Sequence, residues 1–114
     1  MEPLEMDEST QAEIEDLVKS SAIVLFMKGN DMFPMCGFSG KAVAILKSYG
    51  VVFKTVNVLA EPRIREGVKE YANWPTIPQL FVRGEFVGGC DIIAELHEAG
   101  ALAKVLMVDH RQTA

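Results

Sequence analysis

The stretch Phe33-Pro34-Met35-Cys36-Gly37-Phe38-Ser39 sets one of the chain's two cysteines between the end of an apolar run and the start of a helical pattern. A thiol at that junction has a physical reason to ionise, because the first turn of a helix presents unpaired N–H groups and a partial positive charge. A Cys-x-x-Cys redox motif would place a resolving cysteine three residues on, and that position holds Ser39. A single thiol must then borrow its second sulfur, or serve something that needs only one ligand from this chain. The plainer alternative is a buried small hydrophobe, the usual fate of a free cysteine. Three features favour chemistry: Gly37 allows close backbone approach, Pro34 and Met35 hold the thiol off the strand end, and Lys28 adds positive potential. The Ser39 hydroxyl reads most simply as a helix cap.

Three further groups could build a site around that thiol. Ile77-Pro78 either starts a strand with a residue that forgoes its N–H, or turns the main chain of Ile77 outward through a cis bond toward an extended ligand. Gly88-Gly89-Cys90-Asp91 is either a strand-to-helix turn with an aspartate cap, or a set of main-chain N–H groups for a carboxylate with Asp91 accepting from an ammonium. Lys28 and Arg65, taken singly, are solvated surface cations; in an acidic chain, one at a strand end and one on a helix before the proline turn could converge on a carboxylate. Cys90 lies far from Cys36 in sequence and no histidine cluster supplements the pair, since His97 is mid-helix and His110 is in the tail. A mononuclear zinc site is not expected. Cys90 reads as a packed or groove-lining residue, and Trp74 as a partly buried packing residue.

The elements that must position these groups follow from periodicity. Residues 1–9 read as a tail, after which Thr10 caps a helix over 10–20 with Glu13 as its capping-box partner and Ile14, Leu17 and Val18 inward. Residues 22–27 form an apolar run of strand length, the pattern of a strand buried on both faces. A helix over 39–49 follows, ended by Gly50, then a β-branched strand over 51–58. Glu61-Pro62 starts a helix to Tyr71, and Asn73 to Pro78 cannot be helical with two prolines so close. Residues 79–82 and 85–87 make a hairpin about Arg83-Gly84; Asp91 caps a helix to Glu98, and a last short helix spans 101–107. The order α-β-α-β-α-β-β-α-α predicts an α/β fold, a mixed four-stranded sheet with helices on both faces, in one domain over 10–107 with a polar tail from 108 to 114.

Composition bounds the function. At 114 residues the chain is one domain, 49 % apolar and 24 % charged, with a net charge of −5 that gives no footprint for nucleic acid. No apolar run approaches the roughly 20 residues that span a bilayer. The acidic start (Glu2, Glu5, Asp7, Glu8) lacks the order of a signal peptide, and two cysteines do not make a disulfide scaffold. A reducing compartment is expected: the cytoplasm, or an organelle matrix if a targeting segment was removed.

Taken together, Lys28-Gly29, Met35 to Ser39, Trp74-Pro75-Thr76-Ile77-Pro78-Gln79-Leu80 and Gly84 to Ile92 resemble the monothiol glutaredoxins of the Cys-Gly-Phe-Ser class, over roughly 12–107. The resemblance implies a thioredoxin-like fold, a cis Ile77–Pro78 bond and non-covalent binding of glutathione. It implies that Lys28 and Arg65 hold the glycine carboxylate, that Ile77 pairs with the peptide backbone, and that Cys90-Asp91 hold the γ-glutamyl end. It further implies a [2Fe–2S] cluster bridged in a homodimer by Cys36 and glutathione thiolates, with BolA-like proteins and apo iron–sulfur acceptors as partners. Position 90 varies in that class, so Cys90 adds no essential thiol. The competing expectation is a thiol–disulfide oxidoreductase in which Cys36 attacks glutathione mixed disulfides and free glutathione resolves the adduct.

Overall fold

A computed structural model describes residues 7–107. The elements run α1 (Glu8–Val18), β1 (Ile23–Met27), α2 (Gly37–Lys47), β2 (Lys54–Asn57), α3 (Pro62–Ala72), β3 (Gln79–Val82), β4 (Glu85–Gly88), α4 (Cys90–Glu98) and α5 (Leu102–Met107), in the order the sequence predicts. The strands form one sheet ordered β2-β1-β3-β4. β1 is parallel to β2, as a crossover through α2 requires, and antiparallel to β3, which continues into β4 as a hairpin. The hairpin turn at Arg83 and Gly84 has positive φ at both residues, the geometry that matches the twist of the strands it joins.

Every residue of β1 is buried, because the strand is covered on both faces. Ile23, Leu25 and Met27 point to one side, where they pack with Ala42, Leu46, Ile93, Leu102 and Leu106 from α2, α4 and α5. Val24 and Phe26 point to the other, against Ile14, Val18, Ile64, Val68 and Phe81, so that α1 and α3 cover that face. The two-residue period of the strand thus divides one apolar run between two cores. The C-terminal ends of β1 and β4 and the start of β3 therefore lie at the same end of the sheet.

Several element boundaries differ from those the sequence suggests. Asp7, not Thr10, caps α1: its Oδ1 accepts from the Thr10 N–H at 2.8 Å. Thr10 and Glu13 lie inside the helix instead, where they receive the Arg63 guanidinium of α3 at 2.9 and 2.8 Å and tie α1 to α3. The β-branched run from Val51 pairs only from Lys54; Val52 is 87 % exposed, while Val51 and Phe53 lean on the core without joining the ladder. Gly89, not Asp91, is the N-cap of α4, which begins at Cys90. His110 and the tails at 1–6 and 108–114 lie outside the described residues.

Candidate functional site

Cys36 is the N-cap of α2, with extended φ and ψ of −158° and 148°, so it stands where the first free N–H groups of the helix point. Partial burial pushes its thiol up. The main-chain N–H groups of Ser39 and Phe38, the Ser39 hydroxyl and the charge of Lys28 together outweigh that and hold the thiol below its ordinary value. Ser39 does not cap the helix. It is fully buried one turn in, and its Oγ accepts from the main-chain N–H of Lys28 at 3.1 Å. The side chain that replaces a resolving cysteine therefore joins α2 to the end of β1.

The loop between them is held by its own polar groups. Met35 N–H donates to Lys28 O at 2.8 Å, and Asn30 Oδ1 accepts from Met32 and Phe33 N–H at 2.9 and 2.8 Å. Asn57, at the end of β2, accepts from the Gly29 and Leu59 N–H groups at 3.0 and 2.9 Å. Gly29 has no room for a side chain: with φ 89°, a Cβ there would run into the Phe33 carbonyl oxygen. Met32, Phe33, Met35 and Phe38 are left exposed around the thiol.

Beside Cys36 runs a groove of about 390 Å³, walled by Lys28 and Phe38, by Arg65 and Lys69 of α3, by the turn from Trp74 to Pro78, and by Gly89, Cys90 and Asp91 at the start of α4. It gathers Lys28, Arg65, Ile77, Cys90 and Asp91 on one surface. Cys36 itself is not a wall; it sits next to the groove through Phe38, and its charge is felt at Cys90. The Ile77–Pro78 bond is cis, and among the described residues no hydrogen bond engages the Ile77 main chain. Arg65 Nε is buried without a partner among the described residues, an unusual state for a guanidinium N–H and one that an anion in the groove would relieve. Burial pushes the Cys90 thiol up, with Asp91 and Cys36 adding to the shift against Lys41, so the two cysteines are poised oppositely. A larger hollow of about 820 Å³ adjoins the groove across Lys69, Trp74 and Pro75, bounded by Asp7, Arg63, Glu66 and Asn73. It holds no cysteine, and its Arg63 is paired with Glu13, so the chemistry belongs to the smaller groove.

The sequence model of the family described as Glutaredoxin matches residues 23–87. The chain is 50 % identical over 103 residues to the uncharacterized monothiol glutaredoxin ycf64-like protein of Synechocystis, covering 90 % of this chain and 96 % of that one. The chain belongs to the monothiol glutaredoxins. It is also 50 % identical over 96 residues to the mitochondrial monothiol glutaredoxin-5 of Saccharomyces cerevisiae, covering 82 % of this chain and 64 % of that one. The solution structure of a monomeric truncated mutant of Trypanosoma brucei 1-C-Grx1 superposes with a TM-score of 0.79 at 42 % identity, covering 88 % of this chain and 91 % of that one. The fold is the thioredoxin-like fold of glutaredoxins.

As a monothiol glutaredoxin, the chain carries groove residues that periodicity alone passes over. Lys69 stands one turn after Arg65 on α3, and that i, i+4 spacing was the available signal. Phe38 and Thr76 line the groove with no signal beyond adjacency to Cys36 and Ile77. Gly89 is a wall for a steric reason, since a Cβ there would lie 2.9 Å from Trp74 Nε1 and 3.2 Å from Pro78 O. Asn57 acts at a distance, through the Gly29 N–H. Among the described residues no group of three or more His, Cys, Asp or Glu could hold a metal ion.

Proposed function

We propose that this monothiol glutaredoxin binds glutathione in the groove between Lys28 and Asp91. There it carries a [2Fe–2S] cluster, bridged between two copies of the chain, for delivery to iron–sulfur proteins. The observation that carries this reading is one ionisable thiol next to a groove in whose wall a buried guanidinium N–H of Arg65 has no partner among the described residues. A [2Fe–2S] cluster takes four thiolates. One chain offers Cys36, Cys90 being held protonated by burial, so two chains supply two sulfurs and the thiols of two bound glutathiones supply the rest.

The donor set suits glutathione. Arg65 and Lys28 bind a carboxylate at one end, the Ile77 N–H and C=O pair with the peptide, and the Gly89–Cys90 N–H groups with Asp91 take the α-carboxylate and ammonium at the other. BolA-like proteins and apo iron–sulfur acceptors are the partners, and a reducing compartment, the cytoplasm or an organelle matrix, is the setting.

Reconstitution without oxygen, from iron, sulfide and reduced glutathione, tests this. The native chain is expected to develop cluster absorbance and to elute as a dimer. Cys36→Ser should do neither, and normal assembly by that variant would remove Cys36 as a ligand.

A second reading rests on the lowered thiol. The Cys36 thiolate can attack a protein–glutathione disulfide, forming a Cys36–glutathione disulfide and releasing the protein thiolate; a second glutathione thiolate then displaces Cys36 and leaves as glutathione disulfide. The structured loop before Cys36 narrows the approach of that second glutathione. A glutathione-coupled reduction assay is expected to give turnover well below that of a dithiol glutaredoxin.

A further inference from the structure

Gln79 begins β3 directly after the Ile77–Pro78 bond, and its side chain is fully buried. Both protons of its amide go to the preceding turn: Nε2 donates to Trp74 O at 3.0 Å and to Thr76 O at 3.2 Å. Exchanging the amide's oxygen and nitrogen would set Oε1 against two carbonyls, so the orientation is determined. Oε1 is buried and without a partner among the described residues. The side chain thus forgoes one hydrogen bond while making two to the groove wall, which marks where its constraint lies.

Beyond Trp74, whose N–H donates to Lys69 O at 2.9 Å and whose ring packs on Phe86, that wall has no main-chain hydrogen bond of its own among the described residues. Residues 74–78 lie between α3 and β3 with no ladder, and prolines at 75 and 78 remove two main-chain donors. The carbonyls of Trp74 and Thr76 are drawn inward by Gln79, and the N–H and C=O of Ile77 are left uncommitted on the groove side. We infer that Gln79 is a positioning residue of the groove, whose carboxamide clamps the Trp74 and Thr76 carbonyls from the core and so presents the Ile77 main chain to an extended peptide ligand. That the ligand is glutathione rests on the function proposed above.

The test uses the full chain with reduced glutathione as the probe. In calorimetry Gln79→Met, similar in size but without donors, is expected to weaken binding about tenfold, the scale of releasing two clamped carbonyls in part. Leu102→Ala, which removes a buried side chain from the opposite face of the sheet, is the control for mere destabilisation and should bind as the native chain does. Gln79→Glu adds a pH readout. Burial and the facing carbonyls raise that carboxyl's pKa, so its protonated form still donates to one carbonyl, and affinity falls as pH rises through the raised value while native binding stays level. All measurements are taken where circular dichroism shows the variants folded. Native-like binding by Gln79→Met, or an equal loss in Leu102→Ala, overturns the inference. If the native chain does not bind glutathione, the functional reading fails and the clamp is read without ligand. Faster hydrogen exchange at the Thr76 and Ile77 amides and altered emission from Trp74, the only tryptophan, in Gln79→Met but not Leu102→Ala support it, and unchanged values overturn it.

Discussion

At the scale of single residues, Cys36 is poised by a balance that has a definite sign. Unfolding returns the thiol to its ordinary value of 9.0, and folding lowers it, because the N–H groups of Ser39 and Phe38, the Ser39 hydroxyl and Lys28 outweigh partial burial. The ionised thiol therefore stabilises the fold in full only above pH 9.0, and that contribution is lost as pH falls through the folded value. Alkylation with iodoacetamide should reach half its maximal rate at a lower pH for Cys36 than for a free thiol, and at a higher pH for Cys90. Ser39→Ala should shift the Cys36 profile upward and slow its alkylation at neutral pH. It removes both the hydroxyl near the thiol and the acceptor of the Lys28 N–H. Lys28→Ala should move the profile the same way but less, since its charge is the smallest of the contributions. Gly89→Ala should lower glutathione affinity in calorimetry by pressing a methyl group into Trp74 and the Pro78 carbonyl.

Elements carry the site through contacts that differ greatly in how visible they are in sequence. Leu80 is wholly buried between β1 and the helices above it, so Leu80→Ala should cost about 2–5 kcal/mol in chemical denaturation. Asn57→Ala should cost less, while releasing the Gly29 N–H and mobilising the loop that carries Lys28; faster exchange at the Gly29 amide is the expected sign. The apolar run of β1, the helical period after Cys36 and the prolines before Gln79 were legible because each repeats or punctuates a local pattern. Asp7 was not, since Thr10 and Glu13 spell a capping box equally well and only the Arg63 side chain of α3 decides against it. Asp91 likewise looks like a cap, yet the chain turns one step earlier, at Gly88 and Gly89, so α4 starts at Cys90 and Asp91 sits within its first turn. Val51 and Val52 have the composition of a strand, but β1 is too short to pair with them. Asn57 acts across the fold on Gly29, and nothing in its neighbourhood announces it; Gln79 acts on the turn just before it, but only the folded turn aims its amide at the Trp74 and Thr76 carbonyls.

At the scale of the molecule, the thiol and the groove lie together at one end of the sheet, beyond the C-terminus of β1, with Met32, Phe33, Met35 and Phe38 exposed nearby in sequence. No helix of the described residues is long and apolar enough to cross a membrane. On the proposed reading, association through this end of the sheet should depend on what the two copies hold between them. The central claim is that glutathione supplies the second sulfur that Ser39 cannot. Native mass spectrometry of the oxygen-free reconstituted protein measures this directly. The predicted species is two chains with one [2Fe–2S] cluster and two glutathiones, falling to apo monomers when glutathione is removed. A cluster-bearing species that contains no glutathione, or a cluster held by a single chain, would contradict the account.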